Sequence, residues 1–179
     1  TRQPRSERSS RSAQPEPAAS PTTARVAIVG AGPGGMAAAE QLARMGYRVT
    51  VFEKLPVIGG MMAVGIPEYR LPREVIAREY RHIQELGVEV RLNTTIGPGG
   101  DLTLDDLFAQ GYEAVCLAVG AHRGHALRIA GEELAGVVQG IELLKTISFS
   151  QQLEDPGFGQ ALARWLPRGA ETRVAILGG

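Results

Sequence analysis

The chain has 179 residues, of which 44% are hydrophobic and 23 are glycine. This length has room for one domain with a small appendage, and the composition is typical of a globular protein with many tight turns. Nineteen basic and nineteen acidic residues balance, so the net charge gives no reason to expect a nucleic-acid partner. No apolar run approaches the ~18 residues that span a bilayer, so no membrane is expected either. The single cysteine excludes an internal disulfide, and we expect a cytoplasmic location.

Residues 1–24 differ in composition from the rest of the chain. Arginine, serine and proline dominate there, and alanine is almost the only apolar residue. Such a segment buries too little surface to offset its ordering entropy, so we predict a disordered linker or arm. The arginine and serine content would also suit a transit peptide, but Glu7, Glu16 and the prolines argue against that interpretation.

The most informative stretch follows at once. A fully apolar strand over 26–29 leads into Gly30-Ala-Gly-Pro-Gly-Gly35, and a helix over about 34–45 begins inside that turn. A second strand over 47–53 ends in an acid, Glu53. An apolar strand of this kind is expected in the middle of a parallel sheet, where both faces are buried. The strand, turn, helix and acid together predict a dinucleotide-binding unit.

Each part of this unit has a physical reason. Gly30 allows the tight turn, Gly32 has no side chain to hold a phosphate away from the backbone, and Gly35 lets the helix lie close to the sheet. The helix directs its unpaired N–H groups at a phosphate. Glu53 is placed to accept hydrogen bonds from the hydroxyl pair of a ribose, and its carboxylate would repel a 2′-phosphate.

The later elements follow from local patterns. Pro72 is a suitable first residue for a helix that ends at Gly87, and Thr103 with Asp106 resembles a capping pair. The prediction in chain order is an irregular glycine-rich segment at 58–67, a helix at 72–87, a strand at 88–92, a short helix from 103 to about 111, a buried strand at 114–119 and a helix at 141–152. This alternation indicates a doubly wound α/β domain with a partly parallel sheet.

The final residues repeat the first strand. Arg173-Val-Ala-Ile-Leu-Gly-Gly179 begins with the same four residues as Arg25-Val-Ala-Ile-Val-Gly-Ala31. We therefore predict that 25–172 form one incomplete nucleotide-binding domain and that 173–179 form the first strand of a second, truncated one. The expectation is a fragment of a larger flavoprotein that binds two nucleotides.

Several motifs together resemble a known family. They are Gly30-Ala-Gly-Pro-Gly-Gly35, Glu53, Gly59-Gly60, Gly65-Ile-Pro-Glu-Tyr-Arg-Leu-Pro72 and Leu117-Ala-Val-Gly-Ala121. They resemble the amino-terminal half of the flavin domain of the glutamate synthase small subunit and its relatives. The resemblance implies a Rossmann-like FAD domain interrupted by an NAD(P)H domain. It also implies hydride transfer from NAD(P)H to FAD and electron passage to iron–sulfur clusters.

The resemblance also implies which residues hold FAD. Gly30, Gly32, Pro33 and Gly35 would lie against the pyrophosphate, and Glu53 would bind the adenosine ribose. The second glycine pair would approach the phosphates and ribityl chain, the next loop would lie near the flavin, and the last strand would return to touch FAD. The further implied residues are Lys54, Gly59, Gly60, Met61, Gly65, Ile66, Arg70, Gly120 and Ala121. Met61 would equally suit a core position beneath the loop.

No side chain is a convincing acid, base or nucleophile, so no catalytic residue and no metal ligand is predicted. Cys116 reads as a small core residue, and His122 and His125 as parts of a solvated loop. Residues 1–24 contain no cysteine, so any iron–sulfur cluster would belong to a missing domain or to a partner, which could be of the amidotransferase type. The alternatives are a plain NAD-binding domain, a non-catalytic NAD or FAD module, and a flavin monooxygenase or amine oxidase.

Overall fold

The computed structural model describes residues 23–153, 157, 160 and 173–177. Strands and helices alternate along most of this length. In chain order they are β1 (Arg25–Val29), α1 (Pro33–Arg44), β2 (Arg48–Phe52), α2 (Met61–Val64), α3 (Arg73–Glu85), β3 (Glu89–Arg91), α4 (Leu104–Ala109), β4 (Ala114–Leu117) and α5 (Gly140–Gln152). Within the described ranges, none of the helices combines the length and the apolar character that a bilayer crossing requires.

The four strands form one parallel sheet in the order β3-β2-β1-β4. β1 lies between β2 and β4, and its last residue, Val29, pairs with the last residue of each neighbour. The residues that follow these three strands, Gly30, Glu53 and Ala118, therefore meet at the carboxyl edge of the sheet. This register is what assembles the site described below. The doubly wound α/β prediction is confirmed.

Helices cover both faces of the sheet. α1 and α3 pack on one face, where the buried cluster consists of Ile28, Ala31, Met36, Ala39, Val49, Val51, Ile83 and Val88. α4 packs on the other face, where the cluster consists of Ala27, Val29, Phe52, Leu107 and Tyr112. Successive residues of β1 point to opposite faces, and both faces are buried. That is why β1 is apolar from Val26 to Val29.

A third group of contacts fixes the loop between α2 and α3. The Arg73 guanidinium donates to the carbonyl oxygens of Met62 (2.9 Å) and Ile66 (2.8 Å). From α5, the Gln152 amide donates to the carbonyl oxygen of Ala63 at 3.0 Å. These bonds hold α2 and the start of the loop through their backbone, and Leu71 of the loop also packs against the cluster of Ala63, Val64 and Ile76.

Several local predictions are confirmed. α1 begins at Pro33, one residue before the start that the sequence predicts, and α3 begins directly after Pro72, one residue later than predicted. The backbone N–H of Asp106 donates to Thr103 Oγ1 (3.2 Å), and the N–H of Thr103 donates to Asp106 Oδ2 (2.8 Å). The side-chain and backbone hydrogen bonds from Thr103 hold the pKa of the Asp106 carboxyl below its ordinary value. The capping pair therefore forms as the sequence indicates.

Two predictions are wrong. Residues 58–67 are not wholly irregular, because they contain α2, whose four residues are too few to show a helical period. β4 is not buried, since the described residues place no strand at its outer edge. Leu117 is 62% exposed, and Cys116 is only partly buried.

The strand predicted at the end of the chain falls on residues 173–179, of which 173–177 are described. These five residues are exposed and outside any strand, and the predicted strand stays a prediction. Gly178, Gly179 and the arm predicted at 1–24, apart from residues 23 and 24, lie outside the described residues. That 173–179 begin a second nucleotide-binding unit stays a prediction.

α1 approaches β1 closely at one glycine. A Cβ atom at Gly35 would overlap the carbonyl oxygen of Gly30 and lie 3.3 Å from Ile28 Cγ2. At the neighbouring Gly34 a Cβ atom would have no atom within 4 Å. The helix can therefore pack against the sheet only while residue 35 lacks a side chain.

Gly35→Ala is expected to lower the free energy of unfolding by about 1–3 kcal/mol, because the added methyl group forces α1 away from β1. Gly34→Ala is the matched control in the same turn. It is expected to be neutral or to stabilise by up to about 1 kcal/mol, since alanine favours a helix over glycine. Urea unfolding followed by circular dichroism measures both. Equal stability of the two variants would contradict this close packing.

Candidate functional site

A cavity of about 550 Å³ lies at the carboxyl edge of the sheet. This is where open α/β sheets bind ligands, and the volume is within the range of about 300–1,000 Å³ for small-molecule sites. Segments that follow all four strands contribute to its walls. The lining residues are Val29, Gly30, Gly32, Pro33, Gly34, Phe52, Glu53, Lys54, Gly60, Met61, Thr94, Thr95, Ile96, Ala118, Val119, Gly120 and His122.

The glycine turn presents bare backbone to this cavity. Gly30 has a φ of +111°, which favours glycine. Gly32 caps α1 without any side-chain hydrogen bond, and the first helical bond runs from the N–H of Met36 to the carbonyl of Gly32 (2.9 Å). The N–H groups of Gly34 and Gly35 precede that bond and so have no partner within the helix. The start of α1 is therefore suited to an anion.

The second glycine pair closes one side of the turn. Gly60 has a φ of +53°, and a Cβ atom there would come within 2.8 Å of the Cα atom of Gly32. The N–H of Gly59 donates to the carbonyl oxygen of Ala31 at 2.8 Å. The two glycine segments are thus in direct backbone contact. Side chains at these positions would separate them and narrow the cavity.

Glu53 connects the end of β2 to the glycine turn. Its carboxylate is buried, with 5% of the residue exposed. Oε2 accepts the N–H of Ala31 at 2.7 Å, and Oε1 accepts the N–H of Leu55 at 2.9 Å. A carboxylate has about four acceptor positions, so roughly two remain for hydroxyl groups in the cavity. Lys54, the next residue, is exposed and also lines the cavity.

The segment after β3 was missed by the sequence analysis. Thr94, Thr95 and Ile96 line the cavity beside Glu53, and the N–H of Thr94 donates to the carbonyl of Glu53 at 2.9 Å. The carboxylate of Asp101 accepts the N–H of Thr95 at 2.7 Å and fixes this turn. The predicted parallel sheet could have indicated this segment, because the residues that follow each parallel strand lie at the same edge of the sheet.

The segment after β4 forms the remaining wall. The N–H of Ala118 donates to the carbonyl of Val29 at 2.8 Å, which extends the sheet pairing up to the glycine turn. A Cβ atom at Gly30 would overlap the carbonyl oxygen of Ala118, so the two segments touch. Val119 and Gly120 then continue along the cavity.

His122 departs from the sequence prediction. It was expected in a solvated loop, but it lines the cavity, and its Nδ1 atom is buried without a partner among the described residues. Burial holds the pKa of His122 below its ordinary value, and the nearby ammonium groups of Lys54 and Lys145 add to this against the opposing carboxylates of Glu53 and Glu142. Spacing along the chain did not reveal this, because α5 positions the loop.

The structure brings eight of the fourteen predicted cofactor residues to the cavity wall: Gly30, Gly32, Pro33, Glu53, Lys54, Gly60, Met61 and Gly120. The other six do not line it: Gly35, Gly59, Gly65, Ile66, Arg70 and Ala121. Two of them are explained by packing, since Gly35 faces β1 and a Cβ atom at Gly59 would lie 2.9 Å from Ile76 Cγ2. Arg70 is exposed.

The residues present fit a nucleotide that carries a diphosphate. Bare backbone and a helix start would receive the phosphates, and a buried carboxylate would receive the ribose. A second cavity of about 410 Å³ lies between α3 and the segment after β2, and none of the predicted cofactor residues lines it. The cavity at the glycine turn is therefore the candidate site.

The family comparison agrees with this geometry. The model of the pyridine nucleotide-disulphide oxidoreductase family matches residues 24–179. Subunit beta of the NADP(+)-dependent formate dehydrogenase of Moorella thermoacetica is 47% identical over 129 residues, which are 71% of this chain and 18% of that protein. The small chain of the NADPH glutamate synthase of Escherichia coli (strain K12) is 37% identical over 158 residues, which are 88% of this chain and 32% of that protein.

Solved structures give the same result. FprA from Mycobacterium tuberculosis in complex with NADPH superposes with a TM-score of 0.62 and 25% identity, over 69% of this chain and 28% of that chain. The complex of 2-naphthoyl-CoA reductase with 2-naphthoyl-CoA has a TM-score of 0.59 and 27% identity, over 72% of this chain and 19% of that chain. The chain spans between about a fifth and a third of the two curated relatives. It belongs to the pyridine nucleotide-disulphide oxidoreductase family, within which it is glutamate synthase small subunit-like.

Proposed function

We propose that this chain is the FAD-binding part of an NAD(P)H-dependent oxidoreductase. In the proposed reaction, hydride passes from NAD(P)H to FAD, and electrons then pass to an iron–sulfur partner or domain. The observation that carries the proposal is the contact between the two glycine segments at the start of α1, with the Glu53 carboxylate bonded to the same turn. This arrangement supports a diphosphate and a ribose side by side.

The chain's own residues would bind and orient the cofactor. The first N–H groups of α1 would bind the diphosphate, and Glu53 would accept hydrogen bonds from the ribose hydroxyl pair. When bound, FAD would supply the redox chemistry, which requires no acid, base or nucleophile from the protein. The parallel register of β1, β2 and β4 would keep these contacts in fixed positions.

The second nucleotide is proposed on different grounds. The repeated strand sequence at 173–179 supports a second nucleotide-binding unit that begins there, after a first domain over 25–172. Two relatives carry NADP(+) or NADPH in their names. Both are also named as one chain of a larger enzyme, which supports a partner subunit or domain that takes the electrons. An iron–sulfur or amidotransferase-type partner is the proposed class.

The decisive experiment uses the protein purified from its natural source under anaerobic conditions. Visible flavin absorbance that bleaches when NADH or NADPH is added is the expected result. A colourless protein would contradict FAD binding. A protein that carries flavin but does not bleach would instead support a non-catalytic binding module.

Gly32→Val is expected to abolish FAD binding while the domain stays folded. Gly32 has an extended backbone that any residue adopts (φ −76°, ψ 179°), and its nearest atom to a Cβ would be at 3.9 Å. The valine would therefore fit the fold but occupy space that the phosphates need. Quenching of flavin fluorescence measures the affinity, and circular dichroism checks the fold.

Gly140→Val is the matched control, because a Cβ atom there meets nothing within 4 Å and residue 140 does not line the cavity. It is expected to bind FAD as the unchanged chain does. If Gly32→Val binds FAD as tightly as the unchanged chain does, the phosphates do not bind at this turn.

The Glu53 carboxylate is expected to discriminate against a 2′-phosphate. 5′-AMP should bind at least about tenfold more tightly than 2′,5′-ADP, which differs from it only by the 2′-phosphate, since two like charges a few ångströms apart repel by several kcal/mol at a protein surface. Glu53→Gln should narrow this ratio, because it removes the charge and keeps the size. Isothermal titration calorimetry with both ligands gives the ratio of their dissociation constants. A ratio that stays unchanged would show that Glu53 does not face the ribose.

A further inference from the structure

One buried polar atom in the cavity wall has no partner in the described part of the chain. His122 Nδ1 is inaccessible to solvent and makes no hydrogen bond there, while His122 is one of the residues that line the cavity. Folded proteins leave few buried polar atoms unpaired. With Nδ1 enclosed and unpaired, Nε2 is the ring nitrogen left to bind a group in the cavity that His122 lines.

The orientation of the ring indicates which nitrogen serves that role. A Cβ atom at Gly120 would lie 3.9 Å from both Cδ2 and Nε2 of His122, so this edge of the ring is next to a residue that also lines the cavity. A proton on Nδ1 would be a buried N–H without an acceptor, which is costly. The neutral imidazole therefore carries its proton on Nε2 and is a donor there.

The surroundings of His122 favour a negatively charged ligand group. From α5, Lys145 Nζ donates to the backbone carbonyl of His122 at 2.7 Å and lies 3.1 Å from Glu142 Oε1. From the end of β2, Lys54 and Glu53 act on the same imidazole. Both carboxylates already have hydrogen-bond partners, and the cavity also contains the start of α1. An anionic oxygen would gain from the Nε2–H and from the two ammonium groups.

We propose that His122 donates a hydrogen bond from Nε2 to an anionic oxygen of the diphosphate bound in this cavity. The inference rests on the proposed function, since it needs a dinucleotide at the glycine turn. It adds a side-chain contact from the segment after β4 to the backbone contacts from α1. It also gives Lys145 a positioning role, because that side chain holds the His122 backbone in place.

The test compares two amides of different length. In His122→Gln the side-chain amide can reach the position of Nε2, whereas in His122→Asn it is too short to do so. His122→Asn is expected to weaken FAD and ADP binding roughly ten- to a hundredfold, which corresponds to the loss of one hydrogen bond to a charged group. His122→Gln should retain most of the affinity. The control is His125→Asn, whose side chain is exposed and does not line the cavity; it should bind as the unchanged chain does.

The second readout is the titration of the His122 imidazole by NMR. Before ligand is added, the pKa of His122 is below its ordinary value because of burial and the nearby ammonium groups. The negative charge of a bound diphosphate stabilises the protonated imidazole and should therefore raise the pKa of His122. Binding then takes up protons, so affinity should rise as pH falls through the pKa of the bound state. In His122→Asn the pH dependence of FAD binding should disappear, because the diphosphate of FAD has no terminal phosphate that titrates in this range.

The outcomes separate the two proposals. If the chain binds neither FAD nor ADP, both the proposed function and this role of His122 are overturned. If it binds them but His122→Asn binds equally well, or the His122 resonance does not respond to ligand, only the role of His122 is overturned. Lost binding in both the asparagine and the glutamine variant would also overturn it, because an Nε2 donor should be rescued by glutamine.

Discussion

The hydrogen bond between Glu53 Oε2 and the N–H of Ala31, at 2.7 Å, is the contact on which the candidate site depends. It joins the end of β2 to the turn that follows β1, and it does so inside the protein. A buried carboxylate is costly unless its oxygens are bonded. The N–H groups of Ala31 and Leu55 meet that need, one at each oxygen. The acid at the end of β2 thus maintains the turn before any ligand enters.

This contact requires the parallel register of the sheet. Val29 pairs with the last residues of both β2 and β4, so the chain leaves three strands at the same level. A shift of one residue would turn the side chains of a strand to the opposite face. Because both faces of β1 are filled by apolar clusters, such a shift would exchange side chains between the two clusters and disrupt the packing of both. Core packing and site geometry are therefore set by the same pairing.

Much of this arrangement could be predicted from local sequence. The glycine turn, the capping pair and the acid at the end of β2 each act within a few residues, so their spacing carries the information. The turn Thr94–Ile96 and the imidazole of His122 reach the cavity only through the sheet and α5, and no short-range pattern reports that. The spacing of residues along the sequence does not predict which residues tertiary contacts bring to a site.

The two arginines near the loop after α2 illustrate the same limit. Arg70 belongs to the segment on which the resemblance rests, yet it lies on the surface. Arg73, three residues later, donates to the carbonyls of Met62 and Ile66. The helical start of α3 turns this second guanidinium back beneath the loop. The sequence shows two arginines three residues apart, and it does not indicate which of them will donate hydrogen bonds to the backbone carbonyls of the loop.

β4 has a consequence for handling the molecule. In the described ranges it is an edge strand of the sheet. Leu117, its last residue, is 62% exposed, and Val119, two residues further on, is 59% exposed. An exposed apolar edge strand can pair with an extended peptide, including the same strand of another copy. Among the described residues, the outer edge of β4 is therefore open to pairing with a second copy, and such pairing would favour self-association at high concentration. Leu117→Lys would hinder such self-association, because this exposed residue of β4 does not line the cavity.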